Sequence, residues 1–156
     1  MLFRSALETY VTQNVHAISV ELEKHESAFS AVRQALIAFA ERPDLSSAEG
    51  CMGLNAISEF GQRDADVTRI IRMAARSQRR TLMGVLLRGK ARGELRPDTD
   101  LASMADFFES TLAGIRMAAK AGKKRQALRK IAAVAFGAFM QQVPLHKGLS
   151  KSVTRS

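Results

Sequence analysis

The side chains that could bind a metal or attack a substrate are few and scattered. The three histidines stand at His16, His25 and His146. No two have the i, i+3 or i, i+4 spacing that puts a pair of imidazoles on one helix face. Glu21 and His25 share a face, but a di-iron bundle needs Glu-x-x-His from two helices and further glutamates. The pair therefore reads as a solvated surface contact. The single cysteine, Cys51, falls on an apolar helix face with no histidine near it in sequence, where a thiol behaves as a small buried hydrophobe. There is no Gly-x-Ser-x-Gly elbow. Gly50-Cys-Met-Gly53 lacks the spacing and the lysine of a phosphate loop. No metal, no cofactor and no enzymatic activity are expected.

A second set of residues points to binding instead. Asn14, Asn55, Gln78 and Thr111 interrupt otherwise apolar helical stripes. Adaptable Met and aromatic side chains, among them Met52, Met73, Phe60 and Phe107, suit a pocket for an apolar or amphipathic small molecule. These eight are the candidate ligand-binding residues. For any one polar residue, satisfying backbone groups in a closed core is the simpler role. Arg69, Arg72, Arg76 and Arg79, with Arg80 beside them, also fall at helical spacing. They suit an acidic ligand or a phosphate backbone, but the favoured reading is a water-facing side opposite Val67, Ile70, Ile71, Ala74, Leu82, Val85 and Leu86.

Helices must position all of these. The chain has 156 residues, 46% hydrophobic and 25% charged, enough for one domain with its own core. Apolar residues recur every three or four positions and β-branched runs are absent, so the class is all-α. Six helices are predicted, at about 2–24, 28–41, 47–61, 65–92, 101–121 and 124–142. Ser27 and either Asp98 or Asp100 are N-caps, and Asp64 or Ala65 precedes the fourth helix. Gly61, Gly93 and Gly122 are stops, and Arg42-Pro43 ends the second helix. Residues 1–143 form the domain and 144–156 a basic, frayed tail.

Charge and hydropathy narrow the setting. The net charge is +9, but residues 1–122 hold 16 Lys and Arg against 15 Asp and Glu, whereas 123–156 hold 8 and no acid. The excess belongs to the last helix and tail, which weakens any reading of the body as a DNA-binding surface. A lesser reading has Lys123, Lys124, Arg125, Arg129 and Lys130, with Lys147, Lys151 and Arg155, contacting nucleic acid or anionic lipid. One cysteine makes no internal disulfide, and the longest apolar run, Ile131 to Met140, is about half of a membrane span. A soluble cytoplasmic protein without a membrane partner is expected.

The last two helices are apolar over more than one stripe. Phe107, Thr111, Gly114 and Ala118 lie beside the inward Leu101, Met104, Phe108, Leu112 and Ile115. Leu128, Ile131, Ala132, Ala135 and Phe139 run along the next helix. One protomer covers only one side of such helices, so a two-fold homodimer is expected. Its four-helix bundle would use Phe107, Thr111, Gly114, Ala118, Leu128, Ile131, Ala132, Ala135 and Phe139.

The stretches Gly50-Cys-Met-Gly-Leu-Asn-Ala-Ile-Ser-Glu59, Gly93-Glu-Leu-Arg-Pro-Asp98 and Thr111-Leu-Ala-Gly-Ile-Arg-Met-Ala-Ala-Lys-Ala-Gly122 resemble the C-terminal domain of TetR-family transcriptional regulators. Leu2-Phe-Arg-Ser-Ala-Leu-Glu-Thr-Tyr10 resembles the family's linking helix. The resemblance covers residues 2 to about 142. It implies an all-helical, effector-binding domain of a repressor that dimerises through its last two helices, with an inducer among the earlier ones. DNA contact is expected only through a helix-turn-helix domain not present in this chain. The alternative function is a headless module that forms mixed dimers with full-length relatives.

Overall fold

The computed structural model describes residues 2–46, 52–60 and 63–142, and the described residues contain no strand. Six α-helices follow one another: α1 (Leu2–Glu23), α2 (Ala28–Ala40), α3 (Met52–Phe60), α4 (Ala65–Ala91), α5 (Leu101–Lys120) and α6 (Arg125–Met140). A 3₁₀ turn, Pro43–Ser46, follows α2. The all-helical expectation and the six-helix count are met. The predicted third helix is described from Met52 to Phe60, and residues 47–51, Gly61 and the tail from 143 lie outside the described residues.

Local chemistry sets the helix ends. The Ser27 hydroxyl accepts from the Ser30 N–H, Asp64 from Asp66 and Val67, and Asp100 from Ser103, each satisfying donors the first turn leaves orphaned. Asp100 rather than Asp98 caps α5; Asp98 pairs with Arg96 at 2.7 Å. Gly93 and Gly122 adopt φ of 76° and 89°, the left-handed geometry that ends a helix where a Cβ would be strained. Just past Gly93, Glu94 reaches back to α2. Its Oε2 accepts from the Ala28 N–H at 2.7 Å and the Ser27 hydroxyl at 3.1 Å, placing a negative charge at the positive end of that helix.

Two apolar clusters hold the helices together. The larger joins α2 to α1, α4, α5 and α6 through Leu22, Val32, Leu36, Phe39, Leu82, Leu86, Phe108, Ile115, Leu128 and Phe139. The smaller joins α1, α3 and α4 through Leu7, Ala56, Val67 and Ile70. At that end Arg4 of α1 donates to Asp64 at 3.0 Å and to Asp66 at 2.5 Å. Between the clusters the wall-forming residues change character. Along α1 the buried series Leu7, Asn14, Ile18, Leu22 passes through one amide. Along α4, Ala74, Ala75 and Gln78 lie between the buried Ile70 and Leu82. Small and polar residues there leave the gap between α1 and α4 unfilled.

Candidate functional site

That gap is a cavity of about 210 Å³, partly open to solvent and lined by four helices. Val11, Asn14 and Val15 come from α1, Ile57 from α3, Ile71, Ala74, Ala75 and Gln78 from α4, and Glu109 and Arg116 from α5. The wall is apolar with a few polar groups, the composition of a small-molecule site. Residues 109 and 116 are seven apart, so they share a face about 10 Å from one another along α5.

The polar groups are unequally satisfied. Asn14 is 5% exposed. Its Nδ2 donates to the Tyr10 carbonyl at 2.9 Å, while its Oδ1 is buried without a partner. Glu109 accepts from Arg79 through Oε2 at 2.9 Å, and its Oε1 is likewise buried and unpartnered. Arg79 also donates to Asp106 at 2.6 Å, tying α4 to α5. Hydrogen bonding to Asp106, with the charges of Glu109 and Asp106, raises the Arg79 pKa above its usual value. Arg116 forms no ion pair among the described residues, and its guanidinium sits 4.8 Å from the centroid of the Phe39 ring, an attractive cation–π contact.

A second feature lies on the outside of α5 and α6. Phe107, Met117, Val134 and Met140 are large, apolar and exposed, Val134 at 79%. Gly114 and Gly137, exposed on the same two helices, have no atom within 4 Å of where a Cβ would stand, and Ala138 is exposed beside them. An open surface of small and large apolar groups is what a partner helix pair would cover.

A family model described as the tetracyclin repressor-like C-terminal domain matches residues 27–135. The chain belongs to this TetR C-terminal family. It is 26% identical over 133 residues to the HTH-type transcriptional repressor ComR of Escherichia coli (strain K12), covering 84% of this chain and 63% of that protein. The chain thus spans less than two thirds of this relative's length. Its fold is similar to a solved cysteine mutant of the TetR family transcriptional regulator CifR in complex with 26-bp double-strand operator DNA. The TM-score is 0.75 at 27% identity, over 88% of this chain and 73% of that one.

The TetR-type domain brings only two of the eight candidate ligand residues, Asn14 and Gln78, to the cavity. Asn55 accepts from Lys120 Nζ at 2.6 Å. Phe60 packs on Phe3 with ring centroids 5.2 Å apart. Met73 is 55% exposed in an open groove beside Arg69, Arg72 and Arg76. The Thr111 hydroxyl donates to the Phe107 carbonyl at 2.8 Å, and Phe107 lies on the outer α5–α6 surface. The Met52 side chain lies outside the described residues. Glu109 and Arg116 were not among the sequence candidates, and Ala74, expected on the apolar side of α4, is part of the cavity wall.

The candidate dimer residues also divide. Phe107 and Gly114 are exposed, and Thr111, Ala118 and Ile131 are half-buried. Leu128, Ala132, Ala135 and Phe139 are buried in the protomer's own core, which sets them apart from the exposed Phe107 and Gly114. The residues free to be covered on α6 are Val134, Gly137 and Ala138, one step round the helix. Arg79 is a correction, because it faces α5 rather than water. Of the basic residues at the start of α6, Arg129 pairs with Glu41 at 3.0 Å. No described helix is long and apolar enough to cross a membrane, and no three described His, Cys, Asp or Glu residues are grouped to hold a metal ion.

Proposed function

We propose that this TetR-type domain senses a small apolar or amphipathic molecule in the α1–α3–α4–α5 cavity and dimerises through the outer face of α5 and α6. The cavity carries the reading. It is larger than the ~150 Å³ apolar cavity that takes up benzene, it draws its walls from four helices, and its polar groups are only partly satisfied. A ligand there touches α4 and α5 together. Any difference in its affinity for two arrangements of those helices shifts the population between them. Since α5 also carries the outer apolar face, such a shift alters how two protomers meet. The relatives' names, a transcriptional repressor and a regulator on operator DNA, support transcriptional control as the output.

Ligand-observed NMR on the purified chain with toluene and benzyl alcohol tests the pocket. Binding is expected, and Ala74→Phe, which places a ring inside the cavity, removes it while the circular dichroism of the helices is retained. Binding that persists unchanged in Ala74→Phe overturns the reading.

A further inference from the structure

We infer that the cavity selects a small apolar molecule carrying a hydrogen-bond donor, a hydroxyl or an ammonium, which Asn14 and Glu109 orient. This rests on the proposed effector pocket. The Asn14 side chain is buried, and donation from its Nδ2 to the Tyr10 carbonyl fixes which end of the amide is spoken for. Oδ1 is therefore the free end, and it has no partner. Across the cavity wall Glu109 has one oxygen engaged by Arg79 and the other unpaired. Two buried acceptors without a partner in one lining are an imbalance that a ligand can correct, because buried polar groups are otherwise nearly always paired. Both oxygens are shut off from water, so a modest χ rotation has to turn them to the ligand.

The opposite chemistry, an acid on Arg116, is less well supported. Arg116 already has the Phe39 ring face as a partner. What stands buried and unpaired in the lining is the acceptor oxygens of Asn14 and Glu109. A ring-sized ligand also fills most of the space between residues 109 and 116, two helical turns apart, so it satisfies one end and not both.

Four probes of nearly equal shape separate these chemistries: toluene, benzyl alcohol, benzylamine and benzoate, titrated calorimetrically into the purified chain. Benzyl alcohol or benzylamine is expected to bind about tenfold more tightly than toluene and benzoate, the size of one well-made buried hydrogen bond. Tighter binding of the alcohol assigns a neutral donor, and of the amine a cationic one. In Asn14→Leu the preference over toluene shrinks to about threefold or less. Toluene binding as tightly as both donors overturns the inference but leaves the pocket standing. Benzoate binding most tightly overturns it in favour of Arg116. No binding by any probe overturns the inference and the pocket together. A preference left intact in Asn14→Leu, with its melting temperature retained, removes Asn14 from the assignment. The ranking in the unmodified chain decides the matter if that variant does not fold.

Discussion

The rings of Phe107 and Phe139 meet with centroids 5.5 Å apart, one 42% exposed and the other 2%. This pair marks the boundary between the protomer's core and the face it offers outward, and the two residues answer to substitution differently. Phe139→Ala opens a cavity beside the Phe108 ring and is expected to cost about 3–5 kcal/mol of folding stability. Phe107→Ala removes a ring that is half in water, so the protomer loses much less. Its effect is expected in self-association, read as weaker dimerisation by sedimentation. Equal destabilisation by the two variants, with no effect on association, contradicts the outward role of Phe107.

Val134 tests the same face more sharply. At 79% exposure its side chain contributes little to the fold, and a glutamate there is solvated in a lone protomer. In a bundle with a second copy the charge is buried without a partner, which is strongly unfavourable. Val134→Glu is therefore expected to convert the dimer to a monomer in light scattering at micromolar concentration, with the melting curve of the protomer little changed. A dimer that survives Val134→Glu places the interface elsewhere.

These two residues also show what was legible in the sequence. Helix ends were readable because a cap is a local event: Ser27, Asp100, Gly93 and Gly122 each act within a few residues of themselves. That α6 carries apolar residues on more than one side was readable too. Which side met its own protomer was not. Leu128, Ala132, Ala135 and Phe139 form a stripe by period alone, and so do Val134, Gly137 and Ala138 with their neighbours; only tertiary packing separates them. The cavity was still less visible, because it is made by what is missing. Ala74 and Ala75 are ordinary helix formers, and Glu109 and Arg116 look like solvated charges until α1 and α4 are laid beside them. Asn14 and Gln78 were detectable because a polar residue inside an apolar stripe is itself a signal.

A Cβ on Gly89 would stand 2.5 Å from the Cβ of Ala28, closer than two carbons can pack, so α4 and α2 approach here only because one of the two lacks a side chain. Gly89→Ala forces the helices apart, or bends one, at an expected cost of about 1–3 kcal/mol, despite alanine's higher helix propensity. Adding Ala28→Gly returns the space and is expected to recover part of that loss in denaturant titrations, a coupling that residues in contact show and distant ones do not. Additive losses in the double variant would mean that the cost of Gly89→Ala does not come from its contact with Ala28.

The pH dependence of stability follows from the exposed carboxylates that cap and pair. The Asp64 carboxyl is held below the usual carboxylate range, first because the Val67 N–H donates to it and then because of Arg4. Asp98 is lowered by Arg96, and Asp100 by the Ser103 hydroxyl and N–H. A carboxyl whose folded pKa is depressed contributes stability that is fully present above its unfolded value and is lost as pH falls through the folded one. Arg4, raised by Asp64, stays protonated over the whole range and adds no transition of its own. Urea midpoints are thus expected to hold from neutral pH down to about pH 5, then fall as the solution passes below the ordinary carboxylate range. Asp64→Asn keeps a capping side chain but removes the titrating charge, so it should flatten that fall while leaving the helical content unchanged. A midpoint that rises between about pH 5 and pH 3 has the wrong sign for these carboxylates and rules out their role in acid stability.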